Sequence, residues 1–120
     1  MNTHHIRTIS LTEEDTVDAL LDAAFGTMEE VHLIHALRTS GEMMQEHVME
    51  MDGVLIGYAA LSAMVEPLGW LCLAPVAVAP EFQGKGFGVK IVRKIAQVAN
   101  EIGPEVVVLG DPSFYEAAGF

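Results

Sequence analysis

The chain has 120 residues, the size of one domain with an ordinary core, and 51% of them are hydrophobic, which excludes a disordered chain; no apolar run approaches the ~18 residues of a membrane span. A formal net charge of −11 argues against a nucleic-acid partner, because so acidic a chain repels a long phosphate backbone. Cys72 is the single cysteine, so there is no internal disulfide and no cysteine-based metal site, and a polar start, Met1 to His5, has no signal-peptide core; the expected setting is reducing and cytoplasmic.

In chain order, His5 to Ser10 reads as a short strand with Ile6 and Ile9 as its apolar residues. Thr12 is a suitable N-cap with Asp15 three residues on, close to a capping box. Val17, Leu20, Leu21 and Ala24 then repeat at helical spacing to about Phe25, and Gly26 ends the helix. A second helix is expected from Thr27 to Thr39, with Val31, Ile34 and Leu37 as its stripe and Ser40-Gly41 as its stop. His32 and His35 lie three apart on it. They are expected to be ordinary, partly buried histidines, because a metal site needs a third ligand and none is evident. Met44 to Met51 and Val54 to Met64 read as two strands joined by Asp52-Gly53, a strong type I′ hairpin signal. The second is rich in Ala and Gly, as in a strand covered on both faces, and Gly57 suggests a bulge. Trp70 to Val78 is a further strand. Pro75 within it cannot donate to a ladder, so the strand must bulge or part from a neighbour there.

Ala79-Pro80-Glu81-Phe82 leads into Gln83-Gly84-Lys85-Gly86-Phe87-Gly88 and then the best-defined helix of the chain. Ile91, Val92, Ile95, Val98, Ala99 and Ile102 form its apolar face, and Lys90, Arg93, Lys94, Gln97 and Glu101 the polar one. Glycines allow close backbone approach, and a helix start points unpaired N–H groups and a positive dipole end back at the loop; this is an anion site of the kind that takes phosphate. Charge supports it. Residues 1–66 carry twelve acids and two arginines, whereas the four bases of residues 67–120 are Lys85, Lys90, Arg93 and Lys94, all in the loop and its helix. A solvated helix face is the plain alternative, but the clustering favours a small phosphorylated ligand. Gly103-Pro104 stops the helix, and Glu105 to Leu109 reads as a strand parallel to residues 70–78, joined to it by the helical crossover. Asp111-Pro112 has the form of an N-cap before a short helix holding Ser113, Phe114 and Tyr115. The order β-α-α-β-β-β-α-β-α gives a mixed α/β fold, a central mixed sheet with helices on both faces.

The loop is not a P-loop, which needs GxxxxGK followed by Ser or Thr, nor a dinucleotide loop, whose GxGxxG spacing it lacks. Gln83, Gly86 and Gly88 satisfy Q-x-x-G-x-G. Together with Leu73-Ala-Pro-Val-Ala-Val78, Pro80 to Gly88, and Leu109-Gly-Asp-Pro-Ser-Phe-Tyr-Glu-Ala-Ala-Gly-Phe120, this resembles the GNAT superfamily of N-acetyltransferases, most closely its bacterial group with an Ala-Pro-x-Ala-Val strand. The likeness is strong over 73–120 and loose before residue 50. It implies acetyl-CoA as cofactor: its diphosphate on the amides of Gln83, Gly84, Lys85, Gly86, Phe87 and Gly88, its pantetheine arm along a splayed fourth strand at Val76, Ala77 and Val78. It also implies a GNAT-like acyltransferase fold. Residues 1–120 then form a single N-acetyltransferase domain without the two strands that family members carry after the position of Phe120; an exposed edge there favours a homodimer.

Acetyl transfer to an amine needs a neutral amine and a proton for the departing thiolate. The resemblance places Tyr115, in Phe-Tyr-xxx-Gly-Phe, near the CoA sulfur as the candidate acid; a core aromatic is the alternative. Glu66, before the fourth strand, is the candidate base, against a plain turn residue in Glu-Pro-Leu-Gly. Glu81 reads as solvated and Asp111 as a cap. The leading expectation is an N-acetyltransferase acting on a primary amine of a small molecule or protein, with no metal, nucleic acid or membrane involved. The competing one is a non-catalytic acyl-CoA-binding or regulatory domain.

Overall fold

A computed structural model describes residues 4–64, 70–102 and 106–108. In chain order it runs β1 (His4–Thr8), α1 (Glu14–Phe25), α2 (Glu29–Ser40), β2 (Met43–Met51), β3 (Val54–Ala63), β4 (Leu71–Val78), α3 (Phe87–Ile102) and β5 (Val106–Val108). The strands form one sheet in the order β1-β2-β3-β4-β5. Its first four members are antiparallel neighbours, and β4 and β5 are parallel, as a helical crossover between them requires.

Asp52 and Gly53 sit at φ +52° and +83°, the two left-handed positions of a type I′ turn, and so join β2 to β3 as expected. α1 and α2 end at Gly26 and Gly41, again with positive φ. The start of α1 differs from expectation. The cap is Ser10 with Glu13, not Thr12 with Asp15: a 3-10 turn over Leu11–Glu13 precedes the helix, and the Ser10 N–H donates to Glu13 Oε1 at 3.0 Å. Arg7 decides this. Its two terminal nitrogens donate to both Glu13 oxygens at 2.8 and 2.7 Å and fix that carboxylate over the turn. The Arg7 guanidinium, with the Ser10 amide, holds the Glu13 carboxyl at about 2. β1 accordingly ends at Thr8, short of Ser10, and Trp70 lies just outside β4.

Helices cover both faces of the sheet. α3 places Ile91, Val92, Ile95 and Ala99 on Met49, Ile56, Leu61 and Leu73. α1 and α2 place Val17, Leu21, Val31 and Ile34 on Val48, Tyr58 and Ala60. β3 runs between the two layers and is buried from Ile56 to Ser62, which explains its small residues. Each fully buried Ile or Val of α3 contributes roughly 1.5–3 kcal/mol by leaving water, so packing alone can hold this helix in place.

Two bulges adjust the sheet to these layers. Met49 pairs with Gly57 but Glu50 with Leu55, so Ile56 and Gly57 share one step and both face α3. A Cβ on Gly57 would collide with Ile91 Cδ1, so the end of that side chain would have to turn aside. On β4, Ala59 pairs with Val76 but Leu61 with Leu73, leaving Ala74 and Pro75 opposite Ala60 alone. This is the bulge that Pro75 predicts, and it reverses the facing of the strand. Before it, Leu71 and Leu73 join the α3 layer; after it, Ala77 joins the α1–α2 layer and Val76 packs towards α3.

Candidate functional site

β4 leads to the site. Among the described residues its pairing with β5 covers Leu71 to Leu73, while the strand itself continues to Val78. The Ala79 N–H turns to β3 and donates to Ile56 O at 2.8 Å. Backbone groups alternate in direction along a strand, so those of Ala77 also face β3, opposite Tyr58. Those of Val76 and Val78 face the other edge, towards β5.

Beyond β4 the chain makes a 3-10 turn at Pro80–Phe82 and enters the glycine loop. Gly84 and Gly86 have φ +77° and +86°, values that side chains resist. A Cβ at either would meet nothing within 4 Å; the constraint is the backbone conformation, and the space beside both glycines is open. Gly86 O accepts from the Lys90 N–H at 3.2 Å, so the helix begins here, and Phe87, Gly88 and Val89 form its first turn, the end at which a helix dipole is positive. Val78, Gln83, Gly84, Gly86, Phe87 and Gly88 line one open depression of ≈ 260 Å³. Five of the six expected loop residues therefore meet the end of β4 at one place. Lys85, the sixth, is exposed with its Nζ 5.8 Å from the Phe82 ring centroid.

Phe82 and Val89, to which the motif gives no part, also line the depression. Phe82 packs edge-on against Phe87 with centroids 6.0 Å apart, and Lys90 Nζ lies 5.5 Å from the Phe87 centroid. Two aromatics five residues apart across a glycine loop were the available signal. The site thus lies at the positive end of a 16-residue helix, with a largely apolar lining and lysines beside its two aromatics. Such a cradle fits a diphosphate joined to a less polar arm.

The family model described as the acetyltransferase (GNAT) family matches residues 9–120. The chain belongs to this family. It is 38% identical over 109 residues to the uncharacterized N-acetyltransferase YhbS of Escherichia coli (strain K12), a match covering 87% of this chain and 65% of YhbS. The chain therefore spans less than two thirds of that curated relative. Among solved structures, a GNAT family acetyltransferase from Brucella melitensis in complex with acetyl-CoA superimposes with a TM-score of 0.89 at 31% identity, covering 98% of this chain and 82% of that one. YhbS from Escherichia coli in complex with CoA gives 0.87 at 34%, covering 100% and 69%. The mixed sheet flanked by helices, the β4 bulge and the glycine loop of this chain are thus set in a GNAT fold.

Tyr115, Glu66 and Asp111 lie outside the described residues. His32 and His35 are exposed rather than partly buried, because they fall off the Val31–Ile34 stripe; His35 Nε2 lies 2.8 Å from Asp18 Oδ2. Among the described residues no group of three His, Cys, Asp or Glu could hold a metal, and no helix is long and apolar enough to cross a membrane. Burial pushes the Cys72 thiol up, away from the thiolate a nucleophile needs.

Two polar features under the helices have no signal in the sequence. On the α1–α2 face, Arg38 donates to both oxygens of Glu46, at 2.7–3.2 Å. The Tyr58 hydroxyl donates to Glu46 Oε1 at 2.7 Å, and Glu14 Oε2 lies 3.5 Å from Arg38 Nη1. Burial, then the neighbouring Glu46 charge, keeps the Tyr58 phenol far above its ordinary range. On the β2 strand, His47 is 5% exposed and its Nδ1 has no hydrogen-bond partner. Burial, and secondly the Lys94 charge, push its pKa below the usual 6.5.

His47 gives the chain an acid sensitivity. The folded state binds this proton less readily than the unfolded chain does, so stability is complete above the unfolded pKa and falls as pH drops through about 6.5. Glu13 acts only lower, between about 4.5 and 2. The expected result is that His47→Leu flattens the fall in urea-unfolding free energy between about pH 7.5 and 5.5. An unchanged slope would show that His47 does not titrate in this window.

Proposed function

We propose that this chain is an acetyl-CoA-dependent N-acetyltransferase that transfers an acetyl group from the thioester to a primary amine of a small molecule or protein by direct attack. The observation that carries the reading is the meeting, among the described residues, of the β4 segment beyond its pairing with β5 with a left-handed glycine loop and the first turn of α3. It occurs in a chain whose similar structures include one with acetyl-CoA and one with CoA. Amides of the Gln83–Gly88 loop hold the diphosphate, each charge-assisted bond contributing about 1.5–3 kcal/mol; the Gln83 N–H, donated to Pro80 O at 3.4 Å, would have to turn from that long contact to join them. Val76 offers its outward backbone groups to the pantetheine arm and Val78 its N–H, the Val78 carbonyl being held by Gln83 Nε2, and Ala77 between them ties the strand to β3. Acetyl-CoA supplies the activated acyl carbon and a thiolate leaving group. Glu66, through water, takes a proton from the acceptor ammonium so that the neutral amine can attack the thioester carbon, and Tyr115 gives the departing thiolate its proton.

The acids of α1 and α2, among them Asp15, Asp18, Asp22, Glu29 and Glu30, suit a cationic acceptor. Thiol release from acetyl-CoA with a panel of amines, run beside calorimetric binding, tests the reading. Binding and amine-dependent release are expected; binding without release across a broad panel would make the chain a non-catalytic acyl-CoA-binding domain instead. Tyr115→Phe should lower turnover by about tenfold or more with cofactor affinity nearly unchanged. Equal turnover would remove the acid role.

A further inference from the structure

The first residue of the glycine motif does more than supply an amide. Gln83 Nε2 donates to Val78 O at 2.9 Å, linking the start of the loop to the last residue of β4. The segment it encloses is held in place: Phe82 N–H donates to Ala79 O at 2.8 Å and Gln83 N–H to Pro80 O at 3.4 Å within it, and Ala79 N–H ties it to Ile56 O of β3 at 2.8 Å. Gln83 itself is extended, with φ −70° and ψ 152°, and the left-handed Gly84 and Gly86 follow it. It is thus the point at which a held turn gives way to the glycines. Both ends of the link, Val78 and Gln83, line the depression.

We propose that the Gln83 carboxamide is a latch that positions the diphosphate loop. This rests on the reading of that loop as the acetyl-CoA diphosphate site. The latch acts in two ways. It fixes the direction of the Gln83–Gly86 backbone before the ligand arrives, so less ordering is needed on binding. It also caps Val78 O, an acceptor on the outward edge of β4 in the wall of the depression, whose lone pairs would otherwise face the phosphate oxygens. Gln83 is therefore a positioning residue, acting through the loop amides.

Gln83→Met keeps the length of the side chain and removes the donor; Gln83→Glu removes the donor and adds a negative charge. The full chain is titrated calorimetrically with acetyl-CoA, and by NMR with S-acetylpantetheine, which has no diphosphate. The Met variant should bind acetyl-CoA about 3- to 10-fold more weakly, the range for one lost hydrogen bond, and the Glu variant more weakly still. S-acetylpantetheine affinity should stay within about twofold, because the latch serves the diphosphate. KM for acetyl-CoA should rise by the same factor as Kd, with kcat at saturation and Tm unchanged. Wild-type affinity in Gln83→Met, or equal weakening of both ligands, would overturn the latch while leaving the cofactor site intact. Failure of the wild-type chain to bind acetyl-CoA would overturn the cofactor reading, and the latch with it.

Discussion

Gly86→Asp is expected to weaken acetyl-CoA binding by about 100-fold or more, since a like charge within ~4 Å of a phosphate at an effective dielectric near 20 costs about 4 kcal/mol. The fold should survive. Asp is among the side chains that best tolerate positive φ, a Cβ at this glycine meets nothing within 4 Å, and an acid at a helix start favours the dipole. Gly86→Asn separates charge from shape: it has nearly the same size and the same tolerance, and should lose only a few-fold. Paired calorimetry on the two variants is the check. Equal losses for Asp and Asn would mean that the loop is being distorted, and would remove the support for an anion at this place.

Arg38→Met should destabilise the fold by about 2–4 kcal/mol, somewhat below the range for a fully buried pair. The side chains of Arg38 and Glu46 are 17% and 11% exposed, so solvent compensates only in part. The loss comes less from the missing attraction than from leaving the Glu46 carboxylate under α2 with only the Tyr58 hydroxyl. A fall in Tm of about 10 °C follows from the usual scaling for a domain of this size. Tyr58→Phe should cost only about 1 kcal/mol, since Arg38 still pairs the carboxylate. In Arg38→Met/Glu46→Met the stranded charge is gone, and much of the loss should return. A double variant as unstable as the sum of its parts would show that the network contributes by packing alone.

The element order was legible because local chemistry agreed with the fold at each step: Asp52-Gly53 at the hairpin, Gly26 and Gly41 at the helix ends, an unbroken apolar face on α3. Pro75 was the most informative single residue, since a missing donor inside a strand left only a bulge or a parting, and the bulge lies at Ala74–Pro75. The loop was legible for the same reason, as alternating glycines before a helix have few uses. What could not be read depended on distant partners. Glu13 rather than Asp15 closes the capping box, on the 3-10 turn ahead of α1, where Arg7, from β1, grips it. Glu46 looks like any acid on a strand until Arg38 and Tyr58 are brought to it. Gln83 looked like one amide among several, because the reach of its side chain to Val78 depends on the 3-10 turn between them.

The central claim is that residues 83–88 anchor acetyl-CoA and that β4 directs its thioester. The most direct measurement is a crystal structure of this chain with acetyl-CoA. Diphosphate oxygens are expected within hydrogen-bond distance of amides of the Gln83–Gly88 loop, the arm along Val76 and Val78, and the sulfur within reach of Tyr115. A diphosphate bound away from that loop would contradict it.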